Sequence, residues 1–259
     1  MGGCRGFTLV ELLTVIAVIS ILVGLILAAV SGSRFRSQVI VCTSNDRQWG
    51  VAVGLYASDD GRGRLPTYPL PTDQMTTYGQ LEPWFVPYEI VTNMAVQGVT
   101  VPMWFCPTRS KRFQTHRENF QQLRGRDLVS PADLVDEFWS FQKSRFVVPD
   151  LFWWVPRNLG TSSLEWPDPL LLTTRTPDPW PRRLDDPIIS RQPFLSDSIL
   201  GAWDEARNTG QIPTEYGGHA WGGAVKNSNS AYVDGHVETR PKSQLQWQAK
   251  GPGNHVYVY

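Results

Sequence analysis

The apolar residues of this chain are concentrated in a long segment near its amino terminus. Between residues 12 and 30, about 19 positions, only Thr14 and Ser20 carry polar side chains. A helix needs about 20 apolar residues to cross the roughly 30 Å hydrocarbon core of a membrane. The pattern therefore predicts a transmembrane or similarly apolar helix over residues 7–30.

The helical periodicity continues beyond this segment. After a weak point at Ser31, Gly32 and Ser33, apolar residues recur at spacings of three, four and seven positions, which is typical of one face of a helix. The residues of this stripe are Val39, Cys42, Trp49, Val53 and Tyr56. The same helix is therefore expected to extend well past the apolar segment.

Polar and small residues interrupt the stripe and then end it. Asp46 breaks the apolar pattern, and Gly50 and Gly54 lower the helix propensity, although small residues also suit close packing against a sheet. Asp59-Asp60-Gly61, with Pro66 just beyond, predicts the end of the helix. We expect one helix of about 50 residues, with residues 31–61 lying on a head domain formed by residues 62–259.

Alternating patterns in the head predict strands. Residues 230–233 and 236–239 flank Asp234-Gly235, which suits a type I′ hairpin turn, where both central residues have positive φ. Residues 255–259 alternate as a terminal strand. Residues 99–105 predict a strand that Pro102 restricts to an edge or a bulge, and residues 131–141 a short helix with proline in its first turn. The predicted fold class is α+β, with the long helix packed on an antiparallel sheet.

A stretch rich in tryptophan and proline lies within the head. Residues 149–193 hold too many prolines for a regular sheet or helix, and too many aromatic residues for typical disorder. We expect a long, ordered loop insertion, in which Trp153, Trp154, Trp166 and Trp180 either cap the core or are exposed for recognition.

One carboxylate, Glu11, lies near the start of the apolar helix. An acidic side chain is costly in hydrocarbon and predicts a functional group with a specific partner. Cleavage between Gly6 and Phe7 would create an ammonium group at Phe7, four residues from Glu11. A neighbouring subunit could then present its ammonium to this carboxylate, so that both charges are neutralised only in an oligomer.

These residues resemble a known family. Gly6 followed by Phe7-Thr8-Leu9-Val10-Glu11 is similar to the class III signal of type IV pilins and type II secretion pseudopilins. The resemblance implies that prepilin peptidase removes residues 1–6 as a leader, that the new amino group of Phe7 is methylated, and that Glu11 guides subunit assembly. It also implies that the head lies outside the cytoplasm.

Two other interpretations of the amino terminus remain. An ordinary secretory signal also has a basic residue, here Arg5, an apolar segment, and small residues for cleavage, here residues 28–33. A plain membrane anchor is the second, although neither alternative needs Glu11 or the Gly6-Phe7 boundary. Charge alone does not set the orientation, because Arg5 and the amino terminus are balanced by Arg34 and Arg36.

The head resembles a group of bacterial prepilin-like proteins whose biochemical role is largely unassigned. Their opening, "C-x-x-N-x-x-Q-x-G…Y-A-x-D…G…P", is similar to the sequence from Cys42 to Pro66, and their middle element to Phe105-Cys106-Pro107. Their carboxy-terminal element, a histidine, a spacer and Asp-Gly, is similar to His219 with Asp234-Gly235. The spacer here is longer than the usual one.

Cysteine usage permits a disulfide. Cys4 would be removed with the leader, which leaves Cys42 and Cys106. An even number of cysteines in an oxidising compartment is compatible with a disulfide between them. We expect this bond to pin the helix to the sheet; two buried free thiols are the alternative.

The sequence contains little that predicts catalysis or a cofactor. The four histidines lack the ligand spacing typical of zinc sites, and no nucleophile elbow, phosphate loop or dinucleotide fingerprint is present. Carboxylate-rich turns that include Asp197, Asp234 and Glu238 leave calcium as a weaker option, in resemblance to some major pseudopilins. The formal net charge of zero argues against an electrostatic nucleic-acid binder.

We therefore expect a non-enzymatic pilin-like or pseudopilin subunit without a cofactor, anchored by a single span in the bacterial cytoplasmic membrane. Its expected partners are prepilin peptidase, other pilin or pseudopilin subunits and the membrane. The alternative is a monomeric, membrane-anchored protein that binds a ligand or carbohydrate through its tryptophan-rich region, since indole rings supply much contact energy in recognition surfaces.

Overall fold

The computed structural model describes residues 8–70, 82–157, 180–202, 217–245, 247–250 and 255–258. Its longest element is helix α1, Leu9–Asp59, of 51 residues. The helix continues without a break through Ser31, Gly32 and Ser33, and it ends at Asp59, where the N–H of Asp60 donates to the carbonyl of Tyr56. The predicted length and end point of the helix are confirmed.

The two halves of α1 have different surroundings. The most apolar 18-residue window of the helix is entirely unburied, and its leucine, isoleucine and valine side chains are exposed. Further along, Cys42, Trp49 and Val53 are buried against the head. Asp46 does not interrupt this face as the sequence indicated, because it is itself buried within it.

Within the described part of the head lie three shorter helices and three 3-10 turns. The helices are α2, Tyr88–Val96; α3, Ser110–Arg124; and α4, Pro131–Ser140. The 3-10 turns are Val101–Trp104, Pro107–Arg109 and Lys242–Gln244. Helix α4 confirms the helix predicted over residues 131–141, with proline in its first turn. It packs against both α2 and α3.

The strands of the head are short and pair antiparallel. They are β1, Val86–Pro87; β2, Phe146–Val147; β3, Leu151–Trp153; β4, Leu195–Asp197; β5, Leu200–Ala202; β6, His219–Trp221; β7, Ala224–Ala231; β8, Val237–Pro241; β9, Trp247–Lys250; and β10, His255–Val258. The five-stranded sheet has the order β3-β4-β7-β6, with β8 also paired to β7. Smaller sheets pair β1 with β2, and β10 with β5 and β9.

Helix α1 packs against β7 and β8 of the five-stranded sheet. Its buried face meets a core that includes three indole rings. The ring of Trp49 lies 4.6 Å from that of Trp104 and 5.8 Å from that of Trp153, edge to face in both cases. The chain is thus an α+β protein in which a long apolar helix lies on an antiparallel sheet, a pilin-like arrangement, as predicted.

Strand pairing places β4 and β6 along one edge of β7. Asn227 of β7 pairs with His219 of β6 and also with β8. Ser230 of β7 pairs with Ser196 of β4 and also with β8. Because a strand has only two edges, β8 occupies one edge and β4 and β6 share the other. The sheet therefore brings the end of β4 close to the start of β6.

The prediction of a strand over residues 99–105 is wrong. Residues 101–104 form a 3-10 turn, in which the N–H of Met103 donates to the carbonyl of Thr100 at 3.1 Å. Pro102 lies in the first turn of this element, where its missing N–H costs nothing and its fixed φ is favourable.

The long loop expected over residues 149–193 is also corrected in part. Residues 151–153 form β3, which pairs with β4 inside the five-stranded sheet. This part of the stretch is aliphatic and aromatic and contains no proline, a composition that favours a strand. Trp166 and the neighbouring residues 158–179 lie outside the described residues.

The hairpin predicted around Asp234-Gly235 is confirmed, but its turn is not type I′. Strands β7 and β8 pair from Ala231 opposite Val237. The turn is closed by the N–H of Gly235, which donates to the carbonyl of Tyr232 at 3.0 Å. This bond makes Gly235 the fourth residue of the turn, and of the predicted central pair Asp234-Gly235 only Gly235 has positive φ, at 93°. The terminal strand predicted over residues 255–259 is present as β10.

Candidate functional site

Two places in the molecule carry chemically informative residues, and the first is the start of α1. Thr8 and Glu11 form a capping box at this end of the helix. The N–H and hydroxyl of Thr8 donate to Oε2 of Glu11 at 2.8 and 2.7 Å, and the N–H of Glu11 donates to Oγ1 of Thr8 at 3.2 Å. Gly6 and Phe7 lie outside the described residues.

This box gives Glu11 a role within its own helix. Four N–H groups at a helix start lack intrahelical partners, and a threonine followed three residues later by glutamate satisfies two of them. Both contacts from Thr8 reach Oε2 of the carboxylate. Only an intermolecular partner was expected for Glu11, although the spacing Thr-x-x-Glu also predicts this cap.

The second place is a buried cluster where α1 meets the head. The thiols of Cys42 and Cys106, the carboxylate of Asp197 and the imidazole of His219 each offer one ligand atom, and these atoms all lie within 4.8 Å of one another. The exposed fractions of the four residues are 3%, 1%, 1% and 0%. We call these four residues the spine cluster.

Each member reaches the spine cluster from a different element. Cys42 projects from the buried face of α1, and Cys106 lies between two 3-10 turns, where its N–H donates to Oδ2 of Asp150 at 2.9 Å. Asp197 ends β4 and His219 begins β6, the two strands that share an edge of β7.

A close approach of two backbones brings Asp197 and His219 together. Gly217 and Gly218 precede His219 and have φ of +89° and +54°. A Cβ on Gly217 would lie 1.9 Å from the carbonyl oxygen of Ser198, the residue after Asp197. The N–H of Gly218 donates to that same carbonyl at 3.1 Å. Only glycine permits this contact, since it lacks a Cβ and adopts positive φ without strain.

Neighbouring polar groups fix the orientation of the carboxylate and the imidazole. The backbone N–H of Asn229 donates to Oδ2 of Asp197 at 2.6 Å. Nδ1 of His219 contacts Oδ1 of Asn227, and because an amide oxygen only accepts, Nδ1 carries the proton. Nε2 of His219 therefore faces the cluster; it lies 3.3 Å from Oδ2 of Asp197 and makes no hydrogen bond within the described chain.

Asp46 lies beside the spine cluster and is bound from the sheet. The side-chain amide of Asn229 donates to Oδ2 of Asp46 at 2.7 Å, and the hydroxyl of Thr239 donates to Oδ1 of Asn229 at 2.7 Å. Burial, with the nearby charge of Asp197 adding to it, raises the pKa of Asp46 well above its usual value. This polar contact explains why an acid occupies an otherwise apolar helix face.

The four groups of the spine cluster perturb one another strongly. The thiol contact with Cys42 holds the pKa of Cys106 well below its usual value, with His219 contributing, whereas the same contact raises the pKa of Cys42. Burial alone would lower the pKa of His219, but the charges of Asp197 and Cys106 outweigh it and raise the pKa to about 9.

Only some of the site residues expected from the sequence are brought together here. Cys42, Cys106 and His219 meet, and both thiols are free in the structure. Their disulfide stays a prediction. Asp234 and Gly235 lie instead in the hairpin turn, which packs against Gly50 of α1.

The three carboxylates considered for calcium are separated by their partners. Asp197 belongs to the spine cluster, whereas Oδ1 of Asp234 contacts Nδ1 of His236 at 2.6 Å and Oε2 of Glu238 accepts from Arg240 at 2.7 Å. Among the described residues, these carboxylates do not form one metal-binding group.

The tryptophans proposed for recognition lie in the core where the structure describes them. Trp153, Trp154 and Trp180 expose 1%, 0% and 5% of their surfaces. Trp154 and Trp180 stack in parallel, with ring centroids 4.5 Å apart. These three rings therefore stabilise the head and present no sugar-binding surface.

Comparison with known proteins identifies the amino-terminal segment. The model of the prokaryotic N-terminal methylation motif matches residues 1–27. No curated protein and no solved structure matches the chain. The motif implies processing by prepilin peptidase and, with the apolar helix, indicates a prepilin anchored in the inner membrane. Proteins that carry it are generally structural rather than enzymatic.

Proposed function

We propose that the chain is a structural subunit that is cleaved after Gly6, methylated at Phe7 and assembled through α1 into a pilus or a secretion pseudopilus. The observation that carries this proposal is the unburied apolar half of α1, which lies largely within the matched methylation motif and carries a carboxylate near its start. The head, with its own core, would lie outside the cytoplasm and serve no enzymatic role.

The exposed apolar surface favours assembly as well as anchoring. In a membrane, lipid covers this half of the helix. In a filament, the same side chains would pack against equivalent helices from neighbouring subunits, which removes apolar surface from water at roughly 25 cal/mol per Å².

Glu11 supports the same proposal. Its Oε2 is engaged by Thr8 of its own helix, and we assign Oε1 to the ammonium of Phe7 on a neighbouring subunit. Burying an ammonium without a partner is strongly unfavourable, so this pair would make subunit addition depend on correct register. The capping box would hold the carboxylate in place before the neighbour arrives.

Three substitutions distinguish the helix-capping role of Glu11 from the role of its charge in assembly. Glu11→Gln keeps an N3 side chain that accepts in a capping box but removes the charge. Glu11→Val removes both, and Thr8→Val removes the threonine hydroxyl while it keeps the charge. Filament yield or subunit cross-linking is measured at equal membrane abundance, with the mature amino terminus checked in each variant.

We expect Glu11→Gln and Glu11→Val to be inserted and processed but to lose assembly by at least about tenfold, the effect of roughly 1.4 kcal/mol on an association constant. Thr8→Val is expected to keep most assembly. Normal assembly by Glu11→Gln would rule out the intermolecular pair. A wild type that shows no assembly at all would favour a membrane-anchored monomeric binding protein.

A further inference from the structure

The spine cluster has the composition of a transition-metal site. Two thiol sulfurs, one imidazole nitrogen and one carboxylate oxygen converge within 4.8 Å. Zn²⁺ binds these three ligand types, and structural zinc sites use four of them in a tetrahedron. We propose that Cys42, Cys106, Asp197 and His219 bind one structural Zn²⁺ ion between α1 and the head.

The distances fit a tetrahedral ion. Ligand atoms about 2.0–2.3 Å from zinc lie roughly 3.3–3.8 Å from one another in a tetrahedron. Nε2 of His219 lies 3.3 Å from Oδ2 of Asp197, and Sγ of Cys42 lies 3.8 Å from Oδ1 of Asp197. These two distances involve different oxygens of Asp197, and the ligand atoms lie up to 4.8 Å apart. Binding would therefore draw the ligands together by up to about 1 Å.

The imidazole ring is oriented for a metal, which binds neutral histidine and would displace any proton from Nε2. Asn227 fixes the proton on Nδ1, which directs the Nε2 lone pair towards the two sulfurs and the carboxylate. Metal-binding histidines usually donate their other ring N–H to an oxygen in this way. Nε2 is a completely buried nitrogen that makes no hydrogen bond among the described residues, and a metal would supply its missing partner.

The remaining ligands are supported in the same manner. Asp197 accepts the backbone N–H of Asn229 at 2.6 Å. The hydroxyl of Thr108 lies 3.0 Å from Sγ of Cys106 and can donate to a thiolate there. Such outer contacts orient metal ligands and tune their affinity.

Charge favours a divalent cation. With both thiols and the carboxylate ionised, the cluster carries three negative charges in a closed interior, where unpaired charges are costly. Zn²⁺ would neutralise two of them, and Arg109, whose guanidinium lies 3.0 Å from the carboxylate that accepts the N–H of Cys106, adds positive charge nearby. The full burial of all four ligands indicates a structural ion, because catalytic zinc keeps an open coordination position.

The ion would join segments that are far apart in the sequence. Cys42 belongs to α1, whereas the other three ligands come from three separate segments of the head. Zinc binding would therefore link the head to α1. This inference does not depend on assembly into a filament.

The test uses the full chain in detergent, purified without oxygen and with a non-thiol reductant, in a Cys4→Ser background. Zinc content is measured by mass spectrometry of the metal. The protein stripped of metal is then titrated with Co²⁺, which gives visible d–d absorption in a tetrahedral site and near-ultraviolet charge transfer from thiolates.

We expect one zinc ion per chain and both cobalt signals, with a lower thermal midpoint after stripping. Cys106→Ser and His219→Gln should lose the ion. The matched control is Asp46→Asn, a buried neighbour outside the ligand set, whose amide oxygen can still accept from Asn229; it should retain the ion.

Two results from the unsubstituted ligand set would overturn the proposal, so it does not depend on the variants folding. One is a chain lighter by two hydrogen atoms after isolation without reductant and unable to bind metal, which establishes the Cys42–Cys106 disulfide instead. The other is a chain with two free thiols that binds neither Zn²⁺ nor Co²⁺. Neither result would contradict the proposed cleavage after Gly6 or the proposed assembly through Glu11.

Discussion

Gly50 of the long helix lies directly against Gly235 of the hairpin turn. A Cβ on Gly50 would lie 3.7 Å from Cα of Gly235 and 3.9 Å from the carbonyl oxygen of Tyr232. These are ordinary van der Waals distances, so a methyl group fits whereas a larger side chain does not. The contact sets how closely the helix approaches β7 and β8.

Gly50→Ala should therefore stabilise the protein, and Gly50→Leu should destabilise it. Alanine gains about 0.5–1 kcal/mol over glycine in a helix interior. Leucine would push the hairpin away, at a cost of about 1–3 kcal/mol. Gly54→Ala, where the new Cβ meets nothing within 4 Å, is the control for helix propensity alone.

Thermal or chemical unfolding in detergent measures all three variants. A Gly50→Leu protein as stable as the Gly50→Ala protein would show that the hairpin is not packed on α1 as described.

A second prediction concerns the backbone contact that places His219. Gly217→Ala should reduce the unfolding free energy by about 3 kcal/mol or more, because the new Cβ would overlap the carbonyl of Ser198 in addition to straining the backbone. Gly63 also has positive φ, at +64°, but open space around its Cβ position. Gly63→Ala should reduce the unfolding free energy only through backbone strain, by about 1–2 kcal/mol. Equal losses from the two variants, measured by denaturant unfolding, would contradict the close approach.

A third prediction concerns the cap of α4. The hydroxyl of Ser130 accepts the N–H of Asp133 at 3.2 Å, and the carboxylate of Asp133 accepts the N–H of Ser130 at 2.8 Å. Ser130→Ala should cost about 1 kcal/mol of stability. Substitutions at the exposed Glu118 of α3, which lies outside this cap, serve as controls for general surface effects.

The same cap predicts a pH dependence. The hydrogen bond from Arg126, together with the N–H groups of Ser130 and Val129, lowers the pKa of Asp133. Because the folded pKa lies below the unfolded one, this stabilisation is present above about pH 3.9, the ordinary value, and is lost as the pH falls through the folded pKa.

Unfolding of the wild type and Asp133→Asn across acidic pH measures this effect. The stability difference between them should shrink as the pH falls below about 3.9. A difference that stays constant down to the lowest accessible pH would contradict the assignment.

Local sequence patterns predicted the long helix and much of the head. The apolar run, the stripe and Asp59-Asp60-Gly61 together predicted α1 because helix length and helix ends depend on nearby residues. The hairpin followed from alternation, but its turn type did not, since Asp-Gly also suits a type I turn followed by a glycine bulge. Pro102 was expected only to restrict a strand to an edge or a bulge, whereas its preference for a first helical turn favoured the 3-10 turn instead.

The spine cluster could be predicted only in part. Cys42 and Cys106 were paired on the expectation that the helix meets the head at this point, and the structure brings them together. Asp197 and His219 join them only because β4 and β6 share an edge of β7, a tertiary relationship that ligand spacing along the chain does not contain. Locally, the occurrence of the acidic residue Asp46 on an apolar helix face indicated that a polar partner is buried here.

Gly6 is expected to be essential for processing. Prepilin peptidase is expected to read the residue before the cut, so Gly6→Ala should be processed poorly and larger residues should block cleavage. Immunoblotting of membranes should then show the longer precursor. Glu11→Gln serves as the control, because it leaves the cut site intact.

The mature amino terminus tests the central claim most directly. The protein is recovered from membranes, and its amino-terminal peptide is identified by mass spectrometry. We predict a chain that begins at Phe7, carries a methyl group on its amino nitrogen and lacks residues 1–6. A chain that begins at Ser31, Gly32 or Ser33 would indicate an ordinary secretory signal and would contradict the account.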